Sequence, residues 1–155
     1  MTPVFDLPKE AATAALAARL AAVARPGDII ALKGDLGVGK TSFARAFIRA
    51  RTKAQEEVPS PTFTLVQTYQ TEGAAIWHFD LYRLRSVEEV WELGIEDAFG
   101  SGISLIEWPE RLGPLLPQRR LEISLSFGDR PEARRAIVFG GAEWRDRLEG
   151  MAGDA

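Results

Sequence analysis

One glycine-rich stretch constrains this chain more than any other feature. Gly34–Thr41, with the sequence GDLGVGKT, matches the phosphate-binding pattern G-x-x-x-x-G-K-[ST] at every fixed position. The apolar run Asp28–Leu32 precedes it and predicts a buried strand, and Thr41–Ala50 follows it with apolar residues at helical spacing. A strand, a glycine-rich loop and a helix in this order predict that backbone N–H groups and a helix N-terminus converge on phosphate oxygens.

The residues of this loop have separate predicted roles. Lys40 is expected to reach the β- and γ-phosphates of a nucleotide, and the Thr41 hydroxyl is expected to bind Mg²⁺. The other predicted contacts come from the same stretch, at Gly34, Gly37, Val38, Gly39 and Ser42. The sequence therefore predicts a protein that binds a nucleoside triphosphate.

Length and composition indicate the kind of protein that carries the loop. We expect a single domain over residues 1–155, because a chain of 155 residues has the size of one ordinary domain. No apolar run approaches the length of a membrane span, the N-terminus lacks the pattern of a signal peptide, and there are no cysteines for disulfides. These features predict a cytoplasmic protein with no membrane contact.

The charge of the chain argues against direct nucleic-acid binding as its main task. Its net charge is −3, whereas nucleic-acid-binding proteins gain most of their affinity by neutralising phosphates. Arginines gather late in the chain with acidic residues among them: Arg119, Arg120, Glu122, Asp129, Arg130, Glu132, Arg134 and Arg135. We interpret this region as a solvated strand surface, with a patch facing a partner or RNA as the alternative, and we expect no DNA contact.

Hydrophobic periodicity predicts an α/β fold. Glu10–Ala24 is expected to be an amphipathic helix, and Ser86–Glu89 a capping box that opens a short helix ending near Gly94. Further strands are predicted at Thr62–Tyr69, Ala75–Asp80, Ile103–Ile106, Leu121–Phe127 and Ala133–Phe139. The prediction is a P-loop NTPase-like domain with a mixed, mainly parallel sheet flanked by helices, whose late strands form an antiparallel hairpin.

Two carboxylates at strand ends are the expected partners of the loop. Glu107 follows an apolar strand at the position of a Walker B acid, where most such motifs use Asp, and is expected to bind Mg²⁺ directly or through water. Asp80 ends another apolar strand and is a candidate general base, metal partner or water-orienting group. His78 lies on the same face of that strand; we interpret it as a packed, hydrogen-bonded residue, with a direct role as the alternative.

Four segments together resemble the TsaE (YjeE) family, the small bacterial P-loop ATPases of tRNA threonylcarbamoyladenosine biosynthesis. They are Gly34–Ser42, Ser60–Val66, His78–Leu84 and Leu105–Glu110. Their order and spacing agree with the family from Leu7 to about Pro117. The Ser-Pro-Thr and His-Phe-Asp-Leu-Tyr-Arg sequences are rare outside it, so the resemblance is specific.

The resemblance implies an activity and a set of partners. It implies that the protein binds ATP or ADP with Mg²⁺ and hydrolyses ATP slowly. It also implies a threonylcarbamoyl-transferase complex of TsaD- and TsaB-type proteins, which modifies the adenosine beside the tRNA anticodon. Because the chain is acidic overall, contact with tRNA itself is expected to be indirect.

The resemblance also implies roles for individual residues. The Mg²⁺-binding Thr and Glu of the family fall on Thr41 and Glu107, and its functionally important Asp falls on Asp80. Lys40, Asp80 and Glu107 are thus the expected catalytic residues. The resemblance also implies nucleotide contacts from the first helix, through Glu10 or Thr13, and from a switch-like loop that contains Thr62. Trp108 is a further expected contact because it directly follows Glu107.

Three other functions are possible for a P-loop protein of this size. A GTP-driven switch would need an Asn-Lys-x-Asp motif, and the chain contains no asparagine. A small-molecule kinase would be expected to carry an arginine-rich lid, whereas the connection between Arg83 and Gly102 is acidic and holds only Arg85. A nucleotide-gated assembly factor with negligible turnover remains open, because slow hydrolysis and conformational gating can share one site.

Overall fold

A seven-stranded sheet forms the centre of the structure, a computed structural model that describes residues 2–52 and 64–152. The strands are β1 (Val4–Leu7), β2 (Ile29–Lys33), β3 (Val66–Gln70), β4 (Ala75–Asp80), β5 (Ile103–Glu107), β6 (Leu121–Phe127) and β7 (Arg134–Gly140). The helices are α1 (Glu10–Val23), α2 (Lys40–Thr52), α3 (Glu89–Glu92), α4 (Ile95–Ser101) and α5 (Ala142–Ala152), with a 3-10 helix at Pro109–Leu115. In these described ranges no helix is long and apolar enough to cross a membrane.

The strand order is β1-β7-β6-β2-β5-β4-β3. The four central strands β6, β2, β5 and β4 are mutually parallel, and β7 and β3 are antiparallel to their central neighbours. Since β1 is in turn antiparallel to β7, it points the same way as the central strands. The fold class is confirmed: an α/β structure whose mixed sheet runs mainly in one direction and contains the late β6–β7 hairpin.

Apolar side chains cover both faces of the central strands. On one face α1 and α2 pack through residues such as Leu20 and Phe43 against Ile30 and Leu32 of β2. The other face carries a second cluster that includes Phe79 and the short helices α3 and α4. Strands buried on both faces read as continuous apolar runs, which is why β2 and β5 were recognisable in the sequence. The core holds the carboxyl ends of β2, β4 and β5 together at one edge of the sheet.

The observed helices and turns match their sequence signals closely. The predicted helix Glu10–Ala24 is observed at Glu10–Val23. In the predicted capping box, the Glu89 carboxylate accepts hydrogen bonds from the backbone N–H groups of Ser86 and Arg85 at 3.0 and 2.8 Å. The helix that this box opens, α3, ends before Gly94, which has a φ of 87°.

Three predictions about elements were wrong or incomplete. The first two residues of the strand predicted over Thr62–Tyr69 lie outside the described residues, and of the rest the strand includes only those from Val66 onward. Leu65 has a left-handed φ of 67°, and its carbonyl accepts the Asp80 N–H at 3.0 Å. The edge strand β1 was not predicted, because it is short and gains its hydrogen bonds from β7 at the far end of the chain. Helix α4 was not predicted; it lies in a connection for which the sequence predicts a single short helix.

Candidate phosphate- and metal-binding site

The glycine-rich loop connects the end of β2 to the first turn of α2, as its sequence context predicted. Gly34, at the start of the loop, has a φ of 144°, which L-residues rarely adopt. A Cβ atom there would lie 2.6 Å from the Leu125 carbonyl oxygen and 2.7 Å from Val38 Cγ1. The loop therefore lies against β6, and only glycine allows the backbone to approach that strand so closely.

Lys40 is the charged group of the loop and is almost fully buried, with 4% of its surface exposed. Its ammonium group donates hydrogen bonds to the carbonyls of Gly34 and Asp35 and lies 3.6 Å from the centre of the Trp108 ring. Burial lowers the pKa of Lys40 from 10.5, an effect opposed by the carboxylates of Glu107, Glu110, Asp80 and Asp35. A phosphate beside Lys40 would add the negative charge that favours the ammonium form.

Oxygen-bearing side chains from α2, β4 and β5 meet beside this lysine. The Thr41 hydroxyl donates a hydrogen bond of 2.7 Å to Oε1 of Glu107, a carboxylate that is 2% exposed. Asp80 is the residue paired with Glu107 in the β4–β5 register, and it is 6% exposed. Its Oδ1 accepts a hydrogen bond of 3.1 Å from the Tyr82 N–H, which fixes the carboxylate at the strand end.

This donor set fits a magnesium ion. Mg²⁺ binds oxygen ligands, usually through one or two carboxylates together with substrate phosphates. Thr41 and Glu107 supply a hydroxyl and a carboxylate 2.7 Å apart at the N-terminus of the helix that follows the phosphate loop. Both residues were predicted as metal ligands, and the structure brings them into contact although they are 66 residues apart.

Trp108 has an unusual backbone conformation that aims its side chain at the loop. Its φ of 61° is left-handed, a region in which a non-glycine residue costs on the order of 1–3 kcal/mol and which clusters at functional sites. The indole stacks on the Tyr82 ring at a centroid distance of 4.9 Å, and Arg111 donates a hydrogen bond of 2.7 Å to the Tyr82 carbonyl. The indole is thus held between Tyr82 and the Lys40 ammonium.

Two clefts flank the loop and share Gly37, Gly39 and Ser42. One has a volume of 250 Å³ and is lined by Leu36, Gly37, Gly39, Lys40, Thr41, Ser42, Asp80, Tyr82, Glu107 and Trp108. The other has a volume of 220 Å³ and is lined by Glu10, Thr13, Gly37, Val38, Gly39, Ser42, Leu125, Glu132 and Arg134. A chain of phosphates lying across the loop would therefore join an acidic cleft on one side to a mixed polar cleft on the other.

Comparison with known proteins identifies the family. A family model described as "Threonylcarbamoyl adenosine biosynthesis protein TsaE" matches residues 7–137. The chain belongs to the TsaE family. The proteins of this family take part in the biosynthesis of threonylcarbamoyladenosine in tRNA.

Individual TsaE proteins are similar over most of their length. The chain is 45% identical over 123 residues to the tRNA threonylcarbamoyladenosine biosynthesis protein TsaE of Rickettsia bellii, covering 79% of this chain and 85% of that protein. It is 40% identical over 128 residues to TsaE of Bacillus subtilis, covering 82% and 78%. The crystal structure of YdiB from Bacillus subtilis superposes with a TM-score of 0.79 at 28% identity, covering 99% of this chain and 96% of that one.

The structure distributes the predicted site residues of this TsaE protein over both clefts. The acidic cleft brings together the predicted catalytic and metal-binding residues with Trp108. Glu10 and Thr13, at the start of α1, line the second cleft on the other side of the loop. The predicted switch-like loop spans Val58–Thr64, and all of it before Thr64, including Thr62, lies outside the described residues.

Arg134 is a site residue that sequence reasoning missed. Its Nε donates a hydrogen bond of 2.8 Å to the carbonyl of Val38 in the phosphate loop, and it lines the second cleft with Glu132. Other late arginines form surface ion pairs instead, as Arg120 does with Glu122 at 2.6 Å. Arg134 therefore fits neither of the two interpretations of the arginine-rich region, and no local spacing links it to a loop 96 residues away.

Proposed function

We propose that this TsaE protein binds ATP with Mg²⁺ and hydrolyses it slowly, as a cytoplasmic component of the machinery that forms threonylcarbamoyladenosine in tRNA. The observation that carries the proposal is the 2.7 Å contact between Thr41 and Glu107, directly beside the phosphate-loop lysine. A hydroxyl, a carboxylate and an ammonium group at a helix N-terminus form the set of groups that P-loop proteins use for nucleotide and metal.

The binding step follows from the two clefts. Loop N–H groups and the Lys40 ammonium bind the phosphates, and Lys40 exchanges the carbonyls of Gly34 and Asp35 for phosphate oxygens. The adenine and ribose lie in the second cleft, near Glu10 and Thr13. The chain lacks the asparagine of a guanine-reading motif, which supports adenine as the base.

The hydrolytic step uses the acidic cleft. Thr41 and Glu107 would hold Mg²⁺, and the bound ion would supply positive charge that offsets the charge of the phosphates. Asp80 orients the attacking water or accepts its proton, because it lines the same cleft and is one strand away from Glu107. Lys40 stabilises the negative charge that develops on the transferred phosphoryl group.

The modification itself is carried out with partners. We infer a threonylcarbamoyl-transferase complex of TsaD- and TsaB-type proteins, with only indirect contact between this chain and tRNA. The net charge of −3 supports this, as do the ion pairs that late arginines form with acidic residues, among them Arg120–Glu122 and Arg135–Asp6. Arginines neutralised in this way contribute little to binding a polyanion.

A nucleotide-gated assembly factor with negligible turnover is the second candidate. The observation in its favour is the stack formed by Lys40, Trp108 and Tyr82, of which Tyr82 is 40% exposed. If the Lys40 ammonium moved onto a phosphate, the Trp108 indole would lose its contact on that side. The change would then be transmitted through Tyr82 to the protein surface. Both candidates use the same binding site and differ only in whether hydrolysis is needed.

Calorimetric titration of four nucleotides tests the binding proposal. With Mg²⁺ present, ATP and ADP should bind more tightly than GTP and GDP, and equal affinities would reject the adenine assignment. Thr41→Ala and Glu107→Ala should weaken metal-dependent binding, since both residues are proposed to hold the metal. Asp80→Ala should keep ADP affinity while it lowers turnover; an equal loss of ADP binding in all three variants would show that Asp80 has another role.

Reconstitution of the tRNA modification separates the two candidates. The reaction should require this protein and ATP, and a non-hydrolysable ATP analogue should support at most a single round if hydrolysis is needed. Sustained modification with the analogue would favour the assembly factor. Full modification without this protein would reject both.

A further inference from the structure

His78 lies behind the carboxylate proposed to bind metal. It is fully buried on β4, and its Nε2 lies 2.7 Å from Oε2 of Glu107. The other oxygen of the same carboxylate, Oε1, accepts the hydrogen bond from Thr41. Each oxygen of Glu107 thus has a different side-chain partner, one inside the core and one at the phosphate loop.

The contact determines where the imidazole carries its proton. An ionised carboxylate can only accept hydrogen bonds, so Nε2 must be the donor. Nδ1 is buried and has no hydrogen-bond partner in the part of the chain that the structure describes. Burying a polar ring costs free energy unless it is hydrogen-bonded, and here Glu107 accepts a hydrogen bond from the ring. A residue that only filled space at this position would not need a nitrogen at Nε2.

We propose that His78 is a positioning residue that holds Glu107 with Oε1 turned toward Thr41 and the phosphate loop. The inference rests on the proposed function, in which Glu107 and Thr41 bind Mg²⁺ beside a nucleotide. A carboxylate fixed at one oxygen loses less rotational freedom when the other binds metal, and partners behind metal ligands typically change metal affinity or activity by about 10–100-fold. His78 does not touch the nucleotide or the metal and acts through Glu107 alone.

Two substitutions separate the hydrogen bond from the packing. His78→Leu keeps much of the volume and removes the donor, whereas His78→Gln places an amide N–H near the position of Nε2. The measurement is the affinity for Mn²⁺ or Mg²⁺ at saturating ADP, together with ADP affinity in excess chelator and the free energy of unfolding. We expect His78→Leu to weaken metal binding by about 10–100-fold with metal-free ADP affinity retained, and His78→Gln to restore most of it.

Ser104 offers a matched control. It is fully buried on the neighbouring strand β5, and its Oγ lacks a hydrogen-bond partner among the described residues. It points to the opposite face of the sheet from Glu107, three positions further along the same strand. Ser104→Ala should therefore leave metal affinity unchanged, whatever it does to stability.

The outcomes distinguish this inference from the function on which it rests. If the unaltered protein shows no metal-dependent ADP binding, the proposed function fails. If it shows such binding and His78→Leu binds metal as tightly, or His78→Gln loses as much as His78→Leu, the positioning role is rejected. If His78→Leu fails to fold, His78→Asn replaces it, because the shorter amide reaches only the Nδ1 position and cannot contact Glu107. A metal affinity of His78→Asn equal to that of His78→Gln would also reject the positioning role.

Discussion

The two ends of strand β2 both carry buried charge, but they hold it in different ways. At the amino end, the Asp28 carboxylate forms an ion pair with Arg147 of α5, with N–O distances of 2.6 and 3.3 Å. At the carboxyl end, the Lys40 ammonium is held by two backbone carbonyls and the Trp108 ring. Asp28 is in direct contact with an oppositely charged side chain, whereas among the described residues the Lys40 ammonium directly contacts only neutral groups, which a ligand can replace.

Neighbouring groups form further contacts with both members of the Asp28–Arg147 ion pair. Arg147 also donates to the Val23 carbonyl at 3.1 Å, and its guanidinium lies 4.0 Å from the centre of the Trp144 ring. The Arg25 N–H donates to Oδ2 of Asp28 at 2.6 Å. This pair ties the end of α1, the start of β2 and α5 together. This fully paired charge stabilises the fold, whereas the exchangeable partners of Lys40 suit the phosphate binding proposed for it.

We call the amino end of β2, where Asp28 is paired with Arg147, the closed end, and the carboxyl end, beside Lys40, the open end. The largest effect should come from breaking the ion pair at the closed end. Asp28→Ala leaves Arg147 buried without its opposite charge, which typically costs about 3–5 kcal/mol. We expect a loss of this size in the free energy of unfolding measured in urea. Nucleotide affinity measured where the variant is still folded should be unchanged, because the pair lies at the other end of β2.

The double variant Asp28→Ala with Arg147→Met provides the control. It removes both charges and keeps an unbranched apolar chain against Trp144, so it should recover most of the lost stability. If the single and double variants are equally unstable, the unpaired charge is not the cause of the loss.

The next effect concerns the open end. Lys40→Met removes the ammonium that we propose stabilises the reacting phosphoryl group, and it should lower the ATP turnover rate by about 10²–10³-fold, as for other preorganised donors. Within residues 2–52 and 64–152 the buried Lys40 side chain forms no direct hydrogen bond with a carboxylate, so the free energy of unfolding should not fall. Lys33→Met, at the end of the same strand and paired with Glu122 at 3.8 Å, is the matched control and should keep its turnover. A large loss of stability in Lys40→Met would mean that the contacts of Lys40 stabilise the fold as the Asp28–Arg147 ion pair does.

The lowered pKa of Lys40 adds a pH dependence with a definite sign. Between that pKa and 10.5 the unfolded chain holds more protons than the folded chain, so the stability contributed by this residue rises with pH. The contribution is complete above 10.5 and is lost as the pH falls through the folded-state pKa. Urea unfolding at several pH values should show this rise in Lys33→Met and not in Lys40→Met; the same profile in both variants would contradict it.

A smaller effect is expected from Arg134, which connects the β6–β7 hairpin to the open end. Arg134→Ala removes the hydrogen bond to the Val38 carbonyl and part of the second cleft, and should weaken ADP binding about tenfold, the size expected for a hydrogen bond from a charged group. Arg135→Ala is the control, because Arg135 pairs with Asp6 on the exposed sheet face at 3.2 Å. Equal ADP affinity in both variants would show that the loop holds its shape without Arg134.

The smallest effect should be seen away from both ends, at Tyr69 of β3. Its hydroxyl is buried with no hydrogen-bond partner in residues 2–52 and 64–152, and burial raises its pKa above 10.0, partly offset by Arg45. Tyr69→Phe should change the free energy of unfolding at neutral pH by about 1 kcal/mol or less. Above pH 10.0 Tyr69 ionises in the unfolded chain before it does so in the folded chain, so the unaltered protein loses stability that the Tyr69→Phe variant retains. Parallel pH profiles of the free energy of unfolding would contradict this.

The parts of the site that were predictable from the sequence are those encoded locally. The phosphate loop was recognisable because its glycines, lysine and threonine are contiguous and lie between a strand and a helix. Glu107 and Asp80 were recognisable because each ends an apolar run, and parallel strands bring their carboxyl ends to one edge. The hydrogen bond between Thr41 and Glu107 shows that two of these residues, recognised from separate signals, lie in contact.

The parts that were not predictable depend on which distant side chains meet. Nothing near Arg134 indicates that it contacts the phosphate loop, and nothing near Arg147 indicates that it closes the other end of β2. The alternation of β4 placed His78 on the face of Asp80, but only the β5 register brought it to Glu107. The left-handed backbone of Leu65 ended the predicted strand early, at a point where the sequence still alternates.

The sequence by itself therefore determined the phosphate loop, the apolar central strands and the acidic residues at their ends, because these depend on neighbours in the chain. The tertiary structure alone decided which buried charge is paired with an opposite charge and which is held by groups that a ligand can replace. That decision depends on contacts such as Asp28–Arg147, between residues 119 apart, whose geometry is set by the packing of α5 and the β6–β7 hairpin against the central strands. Hydrophobic periodicity fixes which face of an element is buried, but it carries no information on which polar groups face each other across the core.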